Sequence, residues 1–227
     1  MKASEMFRVE KCGRMAYAEA LARQEQLFQT ILDHKKNKVQ QNLNTLMLVE
    51  HNPVYTLGKS GDLANLKQQP EEVGAEFFRT NRGGDITYHG PGQITGYPIF
   101  DLELFGIGLA KYIWNMEEAI IRVIADFGLT GTRIDDASGV WFDGDNDRAR
   151  KICAIGVKAS RYVTMHGFAF NVNTDLSYFD HIIPCGIEDK GVTSLANETG
   201  KPQNFEEIQN LVASKFVEVF AESLLTK

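Results

Sequence analysis

KICAIGVKAS (151–160) and VTMHGFAFNVN (163–173) decide the fold class. Both are short apolar runs, and only Arg161 and Tyr162 separate them, so they read as the two arms of a β-hairpin. Working outward, GVWF (139–142) precedes them across a charged turn, GDNDRAR. LNTLMLVEH (43–51) reads as a buried strand, and Pro53 and Gly58 bound a second run, VYTL. The polar stretch 59–74 reads as a loop. EFFRTN (76–81) is strand-like, and ITGYPIFDLELF (94–105) resumes strand character after a turn-rich segment.

Helical periodicity stands apart from these runs. Apolar side chains recur at three and four residues over 15–34, over 109–128 and from Phe205 to Leu225. The middle segment has the clearest stripe, with Ile113, Met116, Ile120, Val123, Ile124 and Phe127, and Gly128 as its stop. Strands and helices mix without a βαβ rhythm. The expected class is therefore α/β (α+β), a mixed β-sheet flanked by helices, in a single domain over 1–227.

Composition narrows the function. The chain has 227 residues, 43% hydrophobic and 24% charged, which is ordinary for a folded soluble protein. Its 24 basic and 30 acidic side chains leave a net charge of −6, which argues against bulk binding of nucleic acid. No run reaches the roughly 18 apolar residues of a spanning helix, and charges interrupt the first twenty residues too often for a signal peptide. Three cysteines without a CxxC pair fit neither a disulfide framework nor a cysteine metal site. A reducing, cytoplasmic setting follows, with no metal and no cofactor expected.

Chemistry-bearing residues concentrate in two places. The first is Arg82-Gly83-Gly84-Asp85-Ile86-Thr87-Tyr88-His89, continuing through Gly90-Pro91-Gly92-Gln93. Its glycines permit close backbone approach to a ligand, and its polar residues supply donors and acceptors. It matches neither phosphate-cradling pattern, GxxxxGK[ST] or GxGxxG. The commoner use of such a stretch is a hairpin turn, which needs neither Arg82 nor His89.

The second place is Cys185, between Pro184 and Gly186. Most cysteines are small buried hydrophobes, and Cys153, inside a strand, reads as core; Cys12 reads as incidental. A thiol in a loop is available as a nucleophile once a nearby cation or base favours its thiolate. Lys151, Lys158, His89 and His166 are the rival partners. Strand alternation sets Lys151 on a face with Cys153, Ile155 and Val157, where partial desolvation would suit a base. The ordinary alternative is a snorkelling surface lysine.

Three blocks, RGGDITYHGPGQITGYPIFDL, KICAIGVKASRYVTMHGFAFNVNTDL and IIPCGIEDKGVTSL, resemble in order and spacing the lipoyl(octanoyl) transferases, also called the lipoate-protein ligase B family. The resemblance runs from about Thr45 to Leu195. It implies the fold of the biotin and lipoate protein ligases and a Cys–Lys dyad, here Cys185 and Lys151. It implies transfer of an octanoyl group from octanoyl-acyl carrier protein to a lysine of lipoyl domains, those of 2-oxoacid dehydrogenases and the glycine cleavage H protein. The acyl site it implies runs from Arg82 to His89, closed by Ala154-Ile155-Gly156 and Gly167-Phe168-Ala169. Lys158 falls where the family often has arginine, and Asp85 where it often has glutamine. An acidic carrier docking on an acidic enzyme needs a local basic patch, and Arg148, Arg150, Lys151 and Arg161 are the nearest candidates. The rival activities are an octanoyl amidotransferase between lipoyl-domain proteins, an ATP-dependent lipoate ligase, and a non-catalytic acyl-binding module, in which Cys185→Ser would alter little.

Overall fold

A computed structural model describes residues 6–144, 146–184 and 190–225. Its larger sheet holds β1 (Arg8–Met15), β2 (Thr45–His51), β6 (Gln93–Ile99), β9 (Val163–Asn171), β8 (Arg150–Ser160) and β10 (Gly191–Val192), in that spatial order, with β7 (Gly139–Phe142) also on β8. The β1–β2 and β8–β10 pairs are parallel and the others antiparallel, so the sheet is mixed as expected. The predicted hairpin is its centre, pairing Cys153 with Phe170 through to Ser160 with Val163. A smaller sheet runs β4 (Glu76–Arg79), β3 (Val54–Leu57), β5 (Ile86–His89).

The helices are α1 (Tyr17–Asn37), α2 (Leu102–Phe105), α3 (Leu109–Ala125), α4 (Leu195–Thr199) and α5 (Phe205–Leu225). Helices α3 and α5 cover one face of the larger sheet, where Met116, Ile120, Phe216 and Phe220 meet Leu48, Ile94, Phe168 and Phe170. Helix α1 lies on the opposite face, with Ala20, Phe28 and Ile31 against Met47, Val49, Val163 and Met165. Each fully buried Phe or Leu contributes roughly 1.5–3 kcal/mol, so the two cores hold the layers without covalent staples. The smaller sheet packs Tyr55, Ile86 and Tyr88 against Phe179 and Ile182.

Several elements differ from the sequence reading, among them β5, a strand inside the segment read as turn-rich. Strand β1 was not anticipated: RVEKCGRM is charged and mostly exposed, because it is an edge strand with a register irregularity between Lys11 and Gly13. The run 94–105 is not one strand. It ends at Ile99, and Asp101 caps a helical turn by accepting from the Glu103 N–H at 3.1 Å. Helix α1 continues past His34 to Asn37, where Lys38 takes the left-handed conformation.

A further strand-level difference bears on the site. Opposite β7, Val140 pairs with Cys153 and Trp141 with Lys151, so β8 holds one extra residue, Ile152. Such a bulge turns two consecutive side chains to one side. Ile152 and Cys153 both enter the α3/α5 core, as the core assignment of Cys153 anticipated. Lys151 is thereby moved off the Cys153 face, where alternation had put it.

Candidate active site

A cavity runs along the α1 side of the β8–β9 hairpin. One half is lined by Lys151, Trp141, Gln93, Asn171, Phe179, Pro184 and Lys190 and holds about 440 Å³, mouth included. The other is lined by Tyr17, Arg82, His89, Thr95, Tyr97 and His166 and holds about 490 Å³, mouth included. Thr87, Ala154 and Ala169 line both halves, so the two adjoin at these residues.

Its floor follows from strand register. Ala154 pairs with Ala169 and Gly156 with Gly167, so two neighbouring pairs on this face of the hairpin present no side chain beyond Cβ. Close approach requires the glycine at 156: a Cβ there would lie 2.9 Å from the Gly83 carbonyl oxygen. The roof is the segment singled out in the sequence. Alternation along β5 turns Thr87 and His89 toward the cavity and Tyr88 away, where Tyr88 stacks on Tyr178 at 4.5 Å. Of the residues expected at the acyl site, Arg82, Gly84, Asp85, Ile86, Thr87, His89, Ala154, Ile155, Gly156, Gly167, Phe168 and Ala169 line the cavity. Gly83 instead borders an adjoining groove that reaches Lys151 past Ser60, Asp136 and Ser138.

Arg82 and Asp85 organise the roof. The buried Arg82 guanidinium donates to the carbonyl oxygens of Thr56 at 2.6 Å, Asp85 at 2.7 Å and Gly83 at 3.0 Å. Asp85 accepts from the backbone N–H groups of Ile86 at 2.7 Å and Asp62 at 3.1 Å, and from the Asn65 amide. Its carboxylate ties the roof to a neighbouring turn, a role local to the loop.

A hydrogen-bond chain links the two halves. Asn171 donates to the Thr193 carbonyl at 3.0 Å and accepts from the Gln93 amide at 2.9 Å. The same Gln93 nitrogen donates to the Tyr88 carbonyl, which leaves Gln93 Oε1 facing His89 Nδ1 at 2.9 Å. His89 therefore carries its hydrogen on Nδ1 and accepts from the Thr56 hydroxyl at Nε2, 3.2 Å away. Burial first, then His51 and Arg82, pushes His89 down to about 3. With both nitrogens engaged, His89 has no lone pair to offer as a base.

His166 donates from Nε2 to Asn81 Oδ1 at 2.8 Å, and burial followed by the charges of Arg82 and Lys158 pushes it down to about 3. It lines only the half of the cavity away from Lys151. Lys158 sets its ammonium 5.0 Å over the Phe28 ring of α1. Lys151 alone of the four rival partners lines the half bounded by Pro184 and Lys190. It is 8% exposed, with Nζ 4.4 Å over the Trp141 ring, and is not a surface lysine. Cys185, the expected nucleophile, lies outside the described residues.

Of the expected basic patch Arg148 is exposed, 3.8 Å from Asp143, whereas Arg150 bonds Asp143 at 2.5 Å and Glu198 at 2.6 Å, Lys151 is buried, and Arg161 sits at the far tip of the hairpin. Sequence reading also missed Tyr17, Thr95, Tyr97, Trp141 and Asn171, which reach the cavity from α1, β6, β7 and β9. The one local signal was a polar side chain at an inward strand position, as at Asn171. Among the described residues no cluster of His, Cys, Asp or Glu could hold a metal, and no helix is long and apolar enough to cross a membrane.

Comparison with known proteins adds the family. The model of the lipoyl protein ligase A/B catalytic domain matches residues 16–217. An octanoyltransferase of Parabacteroides distasonis is 55% identical over 221 residues, covering 96% of this chain and 100% of its own. One from Flavobacterium psychrophilum is 51% identical, covering 93% and 95%. Among solved structures, a bipartite lipoate protein ligase of Thermoplasma acidophilum superposes with a TM-score of 0.64 at 15% identity, over 94% of this chain and 83% of its own. The biotin protein ligase of Aquifex aeolicus does so with a TM-score of 0.54 at 14% identity, over 95% and 70%. The expected fold is the one these two share. From the family match over most of its length and relatives at half identity or better, the chain belongs to the lipoyl protein ligase A/B catalytic family and, within it, to the octanoyltransferases.

Proposed function

We propose that this chain, as one catalytic domain, moves an octanoyl group from an acyl carrier protein to a lysine of lipoyl domains, through a thioester on Cys185. The observation that carries this reading is the buried Lys151 in the cavity that Pro184 also lines, Cys185 being the next residue in the sequence. The lipoyl domains of 2-oxoacid dehydrogenases and the glycine cleavage H protein are the proposed acceptors, and the cytoplasm, which keeps thiols reduced, is the proposed setting.

The chemistry balances without a nucleotide. The Cys185 thiolate attacks the carbonyl carbon of the carrier's thioester, a new C–S bond forms, and the carrier's sulfur leaves. Lys151, by charge or by accepting the proton, favours the thiolate and then returns a proton to the departing sulfur. In the second half the acceptor lysine, as free amine, attacks the enzyme thioester. An amide forms, Cys185 leaves as thiolate, and the proton lost by the amine passes to Lys151 or the thiolate. The first step exchanges one thioester for another and the second replaces a thioester by a more stable amide.

The cavity suits the acyl chain. From the level of Lys151 to Gly156 there are two same-face strand steps, about 13 Å. An extended chain of eight carbons needs roughly 9 Å, from carbon–carbon bonds near 1.5 Å. The test is to mix octanoyl-carrier, apo lipoyl domain and enzyme without ATP and weigh the acceptor. An octanoyl gain on the acceptor, lost in Lys151→Ala, is expected. A gain only with free octanoate and ATP would replace this reading with a ligase.

A further inference from the structure

We propose that Glu198 is a positioning residue for Lys151, acting through Arg150 and Thr193; the inference rests on the dyad reading above. The Glu198 carboxylate accepts from Arg150 Nε at 2.7 Å and Nη2 at 2.6 Å, and from the Thr193 hydroxyl at 2.6 Å. Arg150 precedes Lys151 in the chain, and the Thr193 N–H donates to the Lys151 carbonyl at 3.0 Å. Glu198, Arg150, Lys151 and Thr193 thus close a ring around one peptide. The β8–β10 pairs, Gly191 with Arg150 and Val192 with Lys151, lie inside it.

This ring stands where β8 has something to hold. The bulge at Ile152 begins one residue later and turns Lys151 to the cavity. A strand that slips by one residue turns every side chain to its other face, so a lysine beside a bulge needs its register held independently. On the β7 side Trp141 pairs with Lys151; on the β10 side the Glu198 ring supplies the hold, with Asp143 bracing Arg150 from behind at 2.5 Å. Bidentate charged bonds are suited to this, because they fix orientation as well as distance. Glu198 lies on the short helix α4, so the chain leaving β10 returns to grip the strand that β10 pairs with.

The test uses the full chain and the variants Glu198→Gln, Thr193→Val and Thr193→Ser. Arg122→Ala, which breaks an ion-pair cluster between α3 and α5 remote from the cavity, controls for stability. Two readouts are taken: kcat and KM for octanoyl transfer, and trace acetylation of Lys151 by acetic anhydride relative to the other lysines, which needs no turnover. In Glu198→Gln and Thr193→Val, kcat is expected to fall by about 10- to 100-fold, as misplacing a reacting group does, with KM little changed. Lys151 acetylation should change against the other lysines, and Thr193→Ser should restore both readouts. Unchanged Lys151 acetylation in Glu198→Gln, or the same kcat loss in Arg122→Ala, overturns the proposal. A wild type without transfer activity but with Lys151 acetylation altered by Glu198→Gln supports the clamp while removing the reading it was built on.

Discussion

At the residue scale, burial decides which groups are available for proton chemistry. His51, His89 and His166 are held at about 4, about 3 and about 3, in each case chiefly because burial disfavours the charged ring. Unfolded, each would titrate near 6.5. Between these values the unfolded chain binds protons that the folded one refuses, so stability is complete above pH 6.5 and declines as pH falls toward 4. Each histidine contributes a slope of at most about 1.4 kcal/mol per pH unit. The urea midpoint is expected to drop steadily from pH 7 to pH 5. A flat midpoint would mean that the rings are protonated in place. Sequence alone left His89 and His166 as rivals to Lys151, because nothing local distinguishes a solvated ring from one locked between Gln93 and Thr56.

At the element scale, the bulge in β8 separates a correct strand from a misplaced side chain. The hairpin 151–173 and the α1, α3 and α5 stripes were legible because their apolar periods match the layers they bury in. Edge strand β1 was not, since water accepts its charges and leaves no pattern. Lys151 lay on the wrong predicted face because a bulge is a pairing event between strands distant in sequence. Gly139 marks that pairing: its φ is +135°, and a Cβ there would stand 2.3 Å from the Cys153 carbonyl oxygen. Gly139→Ala is expected to destabilise the fold by about 1–3 kcal/mol through backbone strain, and to impair transfer beyond that loss by disturbing the strand behind Lys151. Thermal unfolding and kcat measured together check this. A variant with native stability and native kcat would show that β7 does not support the site.

At the scale of the molecule, the larger sheet supplies a floor of small residues and the smaller sheet lays a polar-edged roof over it. The cavity-lining residues within 82–89, 154–156 and 167–169 were legible through the family resemblance. Tyr17, Tyr97 and Trp141 were not, because each reaches the cavity only after distant elements pack. If the floor binds the chain by apolar burial, each methylene is worth about 0.8 kcal/mol. A hexanoyl donor should then show kcat/KM roughly 10-fold or more below the octanoyl donor. Equal values would mean that the chain lies elsewhere. The most direct test of the central claim is the intact mass of the enzyme after incubation with octanoyl-carrier, without acceptor and without ATP, for wild type and Cys185→Ala. Transfer through a thioester puts one octanoyl group on wild type, removable by hydroxylamine and absent from Cys185→Ala. A wild type that stays unmodified, or a Cys185→Ala protein that gains the same group, would contradict it.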